Sequence, residues 1–139
     1  MSFSPEWLSL REPADHAARD KELLAEVGDY FAGRSSIRVT DIGCGAGSNL
    51  RGTYSALPKE QFWRLVDYDP VLLVAARAKL ITWADRVVAD GEPLVIEKGG
   101  KHLTIRFAEA NLAGGYEAIT DGTPDLVTAA ALFDLVSSS

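Results

Sequence analysis

The sequence IRVTDIGCGAGSNLRGTYSALPKEQFWRLVDYD, residues 37–69, decides the fold. Its pattern predicts a short β-branched strand, a glycine loop, a helix and a second strand ending at Asp67. Gly43, Gly45 and Gly47 alternate with small residues in the loop. Because glycine has no Cβ, it can adopt positive φ angles and lets a ligand approach the backbone closely. The first N–H groups of the following helix would point at the same ligand. We therefore expect a ligand site where the first strand ends.

The second strand adds an acid to this site. Asp67 follows Gly47 by twenty residues, and an acid that closes the second strand of such a unit can bind both hydroxyls of a ribose. The loop nevertheless departs from the dinucleotide fingerprint GxGxxG, because Ser48 stands in the third glycine position. Asp41 is poorly placed to hold a pyrophosphate but well placed to orient the loop and face an ammonium group. A tight turn without a ligand is the structural alternative.

In the spacing of its glycines and in the position of Asp41, the segment resembles the first motif of class I S-adenosylmethionine-dependent methyltransferases, Asp-x-Gly-x-Gly-x-Gly. Their second-strand acid corresponds to Asp67 in VDYDP. The resemblance implies methyl transfer from S-adenosyl-L-methionine to an unidentified acceptor. The implied cofactor-binding residues are Asp41, Gly43, Cys44, Gly45, Gly47, Asn49, Asp67, Tyr68, Asn111, Leu112, Ala129, Ala130 and Arg19. The alternatives are a fragment of an NAD-linked oxidoreductase and a module that binds the adenosyl cofactor without turnover.

Asp67 is preferred as the ligand acid and Asp69 as the helix cap, although these two roles could be exchanged, and three further assignments have a rival. For the adenine amine, Asn111 is preferred and Glu109 is the second choice. Arg19 could reach the methionine carboxylate, or could belong to a solvated helix face. Asp134 is the candidate catalytic base, but it could equally cap a helix that begins at Leu135.

Composition limits the remaining classes. A chain of 139 residues with 47% apolar residues predicts a single domain, residues 1–139. The net charge of −6 argues against nucleic-acid and anionic-membrane surfaces, which favours a small-molecule or protein acceptor. A single cysteine suits a reducing cytosol. The sequence contains no stretch of about eighteen apolar residues, so no membrane span is predicted. We expect a cytoplasmic protein without a metal site.

The predicted fold is α/β, with a Rossmann-like, open, mostly parallel sheet in the order 3-2-1-4 and helices on both faces. An arm (1–12) and a leading helix (13–33) precede the core (37–139), and Val27 and Phe31 lie on one face of that helix. The four parallel strands are expected at 37–42, 62–66, 103–107 and 125–130, with the second buried on both faces.

A helix and an additional hairpin strand are predicted between strands two and three. Asp69 and Pro70 predict an N-cap and first turn for a helix that continues past Trp83 and ends near Gly91. The alternation around the Gly-Gly pair at 99–100 predicts a hairpin, which adds an antiparallel strand beside strand three.

The carboxyl end of the chain also carries an expectation. Class I methyltransferases usually continue with three further strands, whereas this sequence stops soon after strand four. Strand four would then form an exposed apolar edge. A truncated chain is the preferred explanation of such an edge, and the alternatives are a homodimer that pairs through strand four and a half-domain that binds cofactor without catalysis.

Overall fold

The computed structural model describes residues 22, 24–109, 124–129 and 132–134, with backbone alone for residues 129 and 132–134. These residues form an α/β fold. The strands are β1 (Ser36–Ile42), β2 (Glu60–Asp67), β3 (Arg86–Asp90), β4 (Leu94–Lys98), β5 (Lys101–Glu109), β6 (Leu126–Ala129) and β7 (Leu132–Asp134). The helices are α1 (residues 24–31), α2 (Ser48–Thr53), a 3-10 turn (Tyr54–Ala56) and α3 (Pro70–Trp83).

The strands form one sheet in the order β3-β4-β5-β2-β1-β6-β7. Its four central strands, β5, β2, β1 and β6, pair in parallel. β3, β4 and β7 join its two sides in antiparallel pairings. The carboxyl ends of β1 and β2 therefore lie side by side, and Ile42 pairs with Val66 where the glycine loop begins.

Two local predictions are confirmed. The side chain of Asp69 accepts a hydrogen bond from the backbone N–H of Val71 and caps α3, with Pro70 as the first helical residue. Gly99 and Gly100 form the two-residue turn between β4 and β5, with φ angles of 57° and 80°. Positive φ at both turn residues matches the right-handed twist of a hairpin.

The helix predicted to run past Trp83 is wrong beyond that residue. α3 ends at Trp83 because Ala84 adopts an extended conformation, and residues 86–90 form β3 instead. The adjacent Val87 and Val88 favour a strand, and β3 finds a pairing partner in β4. β4, the predicted hairpin strand, therefore pairs on its outer side with an additional strand, β3.

The leading helix is described only in its second half. Residues 24–31 are helical, and Val27 and Phe31 are buried, as predicted. Gly33, with a φ angle of 89°, follows the helix end. The predicted arm at 1–12 and residues 13–21 lie outside the described residues. None of the described helices is both long and apolar enough to cross a membrane.

The hydrophobic core lies on one side of the sheet. Side chains of α1, α2 and α3 join one cluster with alternate residues of the parallel strands, including Val39, Trp63, Leu65 and Ile105. Helices on both faces were expected, but the described helices all pack on this side. The prediction that β2 is buried on both faces is also wrong for the described chain, because Phe62 on the opposite side is 43% exposed.

β7 changes the expected edge of the sheet. It returns antiparallel to β6, with Ala129 opposite Leu132 and Val127 opposite Asp134. Strand four was predicted to be the exposed edge, but in the structure β7 occupies that side of it. The homodimer was expected to form through an unpaired edge of strand four, but in the structure that edge pairs with β7.

Candidate functional site

The glycine loop, residues 43–47, is fixed to the carboxyl end of β2. Gly43, Gly45 and Gly47 have φ angles of 67°, 55° and 84°, a region that other residues rarely adopt. The N–H groups of Gly43 and Cys44 both donate to the carbonyl oxygen of Val66, at 2.8 and 3.0 Å. The loop then closes on itself through the N–H of Gly47, which donates to the carbonyl oxygen of Cys44 at 2.9 Å.

Asp67 joins the loop to the turn before α3. Its Oδ2 accepts a hydrogen bond from the N–H of Gly45 at 3.1 Å, and its Oδ1 accepts one from the N–H of Asp69 at 3.0 Å. The residue is 5% exposed. Each carboxylate oxygen has more than one acceptor site, so these two bonds leave acceptor capacity on Asp67. The predicted ribose acid is thus placed at the loop and held by backbone groups on both sides.

Asp41 connects three elements beneath the loop. Its Oδ1 accepts hydrogen bonds from the Nδ2 of Asn49 in α2, at 3.1 Å, and from the Oγ1 of Thr128 in β6, at 2.7 Å. The residue is fully buried, and its Oδ2 has no hydrogen-bond partner among the described residues. The carboxylate therefore orients the loop and α2. The sequence suggested that Asp41 would also face an ammonium group, but the residue has no exposed surface with which to do so.

Burial changes the acidity of this group. It raises the pKa of Asp41 from 3.8 to about 6, and the nearby charge of Asp67 adds to the effect, whereas the hydrogen bonds from Thr128 and Asn49 oppose it. A buried carboxylate with one oxygen unpartnered is costly in its charged form. The charge on Asp41 therefore opposes folding at neutral pH.

Thr128 was missed by sequence reasoning. It occupies an otherwise apolar strand, where a lone threonine indicates little. The register of β6 explains its role, because Thr128 pairs directly with Asp41 across β1 and β6. A pairing between residues so far apart in the chain could not be derived from local pattern.

Other predicted site residues lie at the same edge in different environments. Cys44 is buried, its Sγ donates to the carbonyl oxygen of Gly45 at 3.6 Å, and burial raises the pKa of its thiol. Asn49 is buried and is committed to Asp41. Tyr68, by contrast, is 48% exposed. The backbone of Ala129 pairs with Ile42 and so borders the start of the loop.

The remaining candidates divide into two groups. Arg19, Asn111, Leu112 and Ala130 lie outside the described residues. The backbone of Asp134 lies opposite Val127, near the start of β6, because β7 runs back along that strand. The register thus places the backbone of the candidate base two residues back from the carboxyl end of β6, opposite Val127 instead of Ala129. Glu109, the second choice for the adenine contact, pairs with Asp67 at the end of β5.

Comparison with known proteins adds no relative. No protein-family model matches the chain, and a search of curated proteins found no match either.

Replacing Asp41 with asparagine tests the buried carboxylate. The amide introduced by Asp41→Asn keeps an oxygen for the Asn49 and Thr128 bonds but cannot become charged. Because the pKa of Asp41 is higher in the folded chain than in the unfolded one, its protonated form favours folding. That contribution is complete below about pH 4 and is lost as the pH rises through about 6. The free energy of unfolding of Asp41→Asn should therefore increase relative to wild type over this range, by on the order of 2–3 kcal/mol.

Urea unfolding at half-unit steps from pH 4 to 7.5 measures the difference. Asp29→Asn, which removes the same charge from an exposed position on α1, supplies the baseline. A difference between Asp41→Asn and wild type that stays constant with pH would contradict the assignment.

Proposed function

We propose that this chain binds S-adenosyl-L-methionine at the carboxyl ends of β1 and β2, and that it forms the cofactor-binding part of a methyltransferase. One observation carries the proposal. The glycine loop and the second-strand acid, separate in sequence, meet in a direct hydrogen bond of 3.1 Å between the N–H of Gly45 and Asp67. A shared site of backbone and carboxylate suits a ligand that contains a ribose.

The space beside Gly43 is compatible with such a cofactor. A Cβ built on Gly43 meets nothing within 4 Å, so the backbone at this position borders open space. A ligand can therefore approach this backbone closely, as the glycine pattern predicts. Tyr68, which follows Asp67 in the chain, is 48% exposed and so is accessible to a ligand.

The charges favour an adenosyl cofactor over a dinucleotide. Asp41 and Asp67 lie under and beside the loop, and Asp67 perturbs Asp41 electrostatically. Asp67 beside the loop, with the buried Asp41 beneath it, makes the surroundings of the loop negative, which suits a ligand with ammonium and sulfonium charges better than a pyrophosphate. Ser48, in place of the third glycine of the dinucleotide fingerprint, also argues against a dinucleotide.

The sheet is compatible with the proposal at a coarser level. If β5, β2, β1 and β6 are taken as strands three, two, one and four of a Rossmann-like sheet, the strand order reverses between β1 and β6. Ligands of open α/β sheets bind beyond the carboxyl ends of the strands at such a point. The glycine loop and Ala129 border this point.

The bound cofactor would supply an activated methyl group. The described residues would bind and orient it: the glycine loop by close backbone approach, Asp67 by accepting hydrogen bonds from the ribose, and Asp41 by holding α2 and β6 in position. Positioning of this kind is the main contribution of a protein to a group-transfer reaction. The acceptor, a small molecule or a protein, is left open by the described residues.

Thermal melting with three ligands tests the proposal. S-adenosylmethionine and S-adenosylhomocysteine, each at about a hundred times its dissociation constant, should stabilise the chain by roughly 2.7 kcal/mol and raise its Tm by several degrees. NAD should give no comparable shift. A shift with NAD alone, or no shift with either adenosyl ligand, would contradict the proposal.

A single methyl group on the loop should block binding. In Gly43→Ala the new Cβ would enter the open space in which we place the cofactor. We expect the affinity for S-adenosylhomocysteine, measured by titration calorimetry, to fall at least about tenfold, since one methyl displaces a close backbone contact.

Gly100→Ala is the matched control. Gly100 also has a positive φ, 80° against 67° at Gly43, and its Cβ would likewise meet nothing within 4 Å, but it lies in the β4–β5 turn. Both variants should lose about 1–2 kcal/mol of stability through backbone strain. Equal affinities in the two variants would remove the glycine loop from the site.

A further inference from the structure

The side of the sheet opposite α1, α2 and α3 carries an arginine-lined cavity of about 560 Å³. Its lining includes Arg34, Arg38, Arg64, Arg106 and one acid, Asp125, but no residue of the three helices. Arg38, Arg64 and Arg106, on three neighbouring strands, are called the arginine face below. This concentration of positive charge is unexpected in a chain with a net charge of −6.

The strand register brings like charges together. Arg64 of β2 pairs directly with Arg106 of β5, so the two side chains leave the sheet on the same side as neighbours. Arg38 of β1 pairs with Phe62, which precedes Arg64 by two residues on the same side. Like charges placed opposite each other on neighbouring strands are unfavourable.

The acid in the cavity is engaged by Arg34 and by the backbone of Arg38. Asp125 Oδ2 accepts hydrogen bonds from the Nη2 of Arg34, at 3.1 Å, and from the backbone N–H of Arg38, at 2.9 Å. The Arg38 and Arg106 side chains are exposed, and neither forms an ion pair with a described residue. Their guanidinium groups are therefore open to an anion.

We propose that the arginine face binds a small polyanion, a molecule with two or more phosphate or carboxylate groups. Planar guanidinium groups bind both kinds of oxyanion through paired hydrogen bonds. The hydroxyls of Thr40 and Thr104, which also line the cavity, supply further donors. The volume is that of a small-molecule pocket, and the acidic chain as a whole repels nucleic acid.

This site is separate from the proposed cofactor site. Asp67 and Asp41 alternate with the arginines along β1 and β2, so they face the helix side of the sheet. The polyanion proposal would hold whether or not the glycine loop binds an adenosyl cofactor.

Titration calorimetry of the full chain at physiological salt tests the proposal, with inorganic pyrophosphate as the phosphate probe and citrate as the carboxylate probe. At least one should bind saturably with one site per chain. Arg106→Gln and Arg38→Gln should each weaken that binding about tenfold or more, since each removes charge-assisted hydrogen bonds. Whichever probe binds more tightly identifies the chemistry of the natural anion.

A stability measurement separates binding from a structural role. Without anion, Arg106→Gln should raise Tm by about 2 °C, because the repulsion with Arg64 is relieved. Arg86→Gln, at a 69% exposed position on β3, removes the same charge and should leave anion binding unchanged. Failure of both probes to bind, an equal loss in Arg86→Gln, or binding of a hexaglutamate peptide but of neither small anion would overturn the proposal.

Discussion

Backbone hydrogen bonds to the carboxyl end of β2 hold the glycine loop, and the candidate site depends on them. Three consecutive N–H groups, from Gly43 to Gly45, donate to Val66 and Asp67. This requires β1 and β2 to pair in the observed parallel register, in which Ile42 lies beside Val66. A slip of one residue would turn Asp67 to the other side of the sheet, away from the loop. The register of one strand pair therefore decides whether a site exists.

Local features of the site were predictable because each has a local cause. Positive φ needs glycine at 43, 45 and 47, a cap before Pro70 needs a residue such as Asp69, and a two-residue hairpin favours glycine at 99 and 100. Features that depend on distant partners were not predictable. β3 exists because β4 is available to pair with it, and Asp41 is buried because Thr128 and Asn49 approach from other elements. The side of the sheet that the helices cover is likewise set by packing.

The net charge of the chain conceals a separation of charge across the sheet. Asp41 and Asp67 lie on the helix side, near the carboxyl ends of β1 and β2, whereas Arg38, Arg64 and Arg106 lie on the opposite side of the central strands. Alternation of side chains along a strand makes this possible, because adjacent residues face opposite sides. One sheet thus carries buried acids on one side and arginines on the other, and the two proposed ligands differ in charge accordingly. Composition alone argued only against nucleic-acid and anionic-membrane partners.

Amide NMR of the ¹⁵N-labelled chain titrated with S-adenosylhomocysteine would locate the adenosyl ligand on the chain. We expect the largest shift changes at residues 43–47 and 67–69, above all at Gly45, whose N–H is bonded to Asp67. Arg38, Arg64 and Arg106, on the other side of the sheet, should change little. Absence of changes in the loop, or changes confined to the arginine face, would contradict the assignment of the adenosyl site.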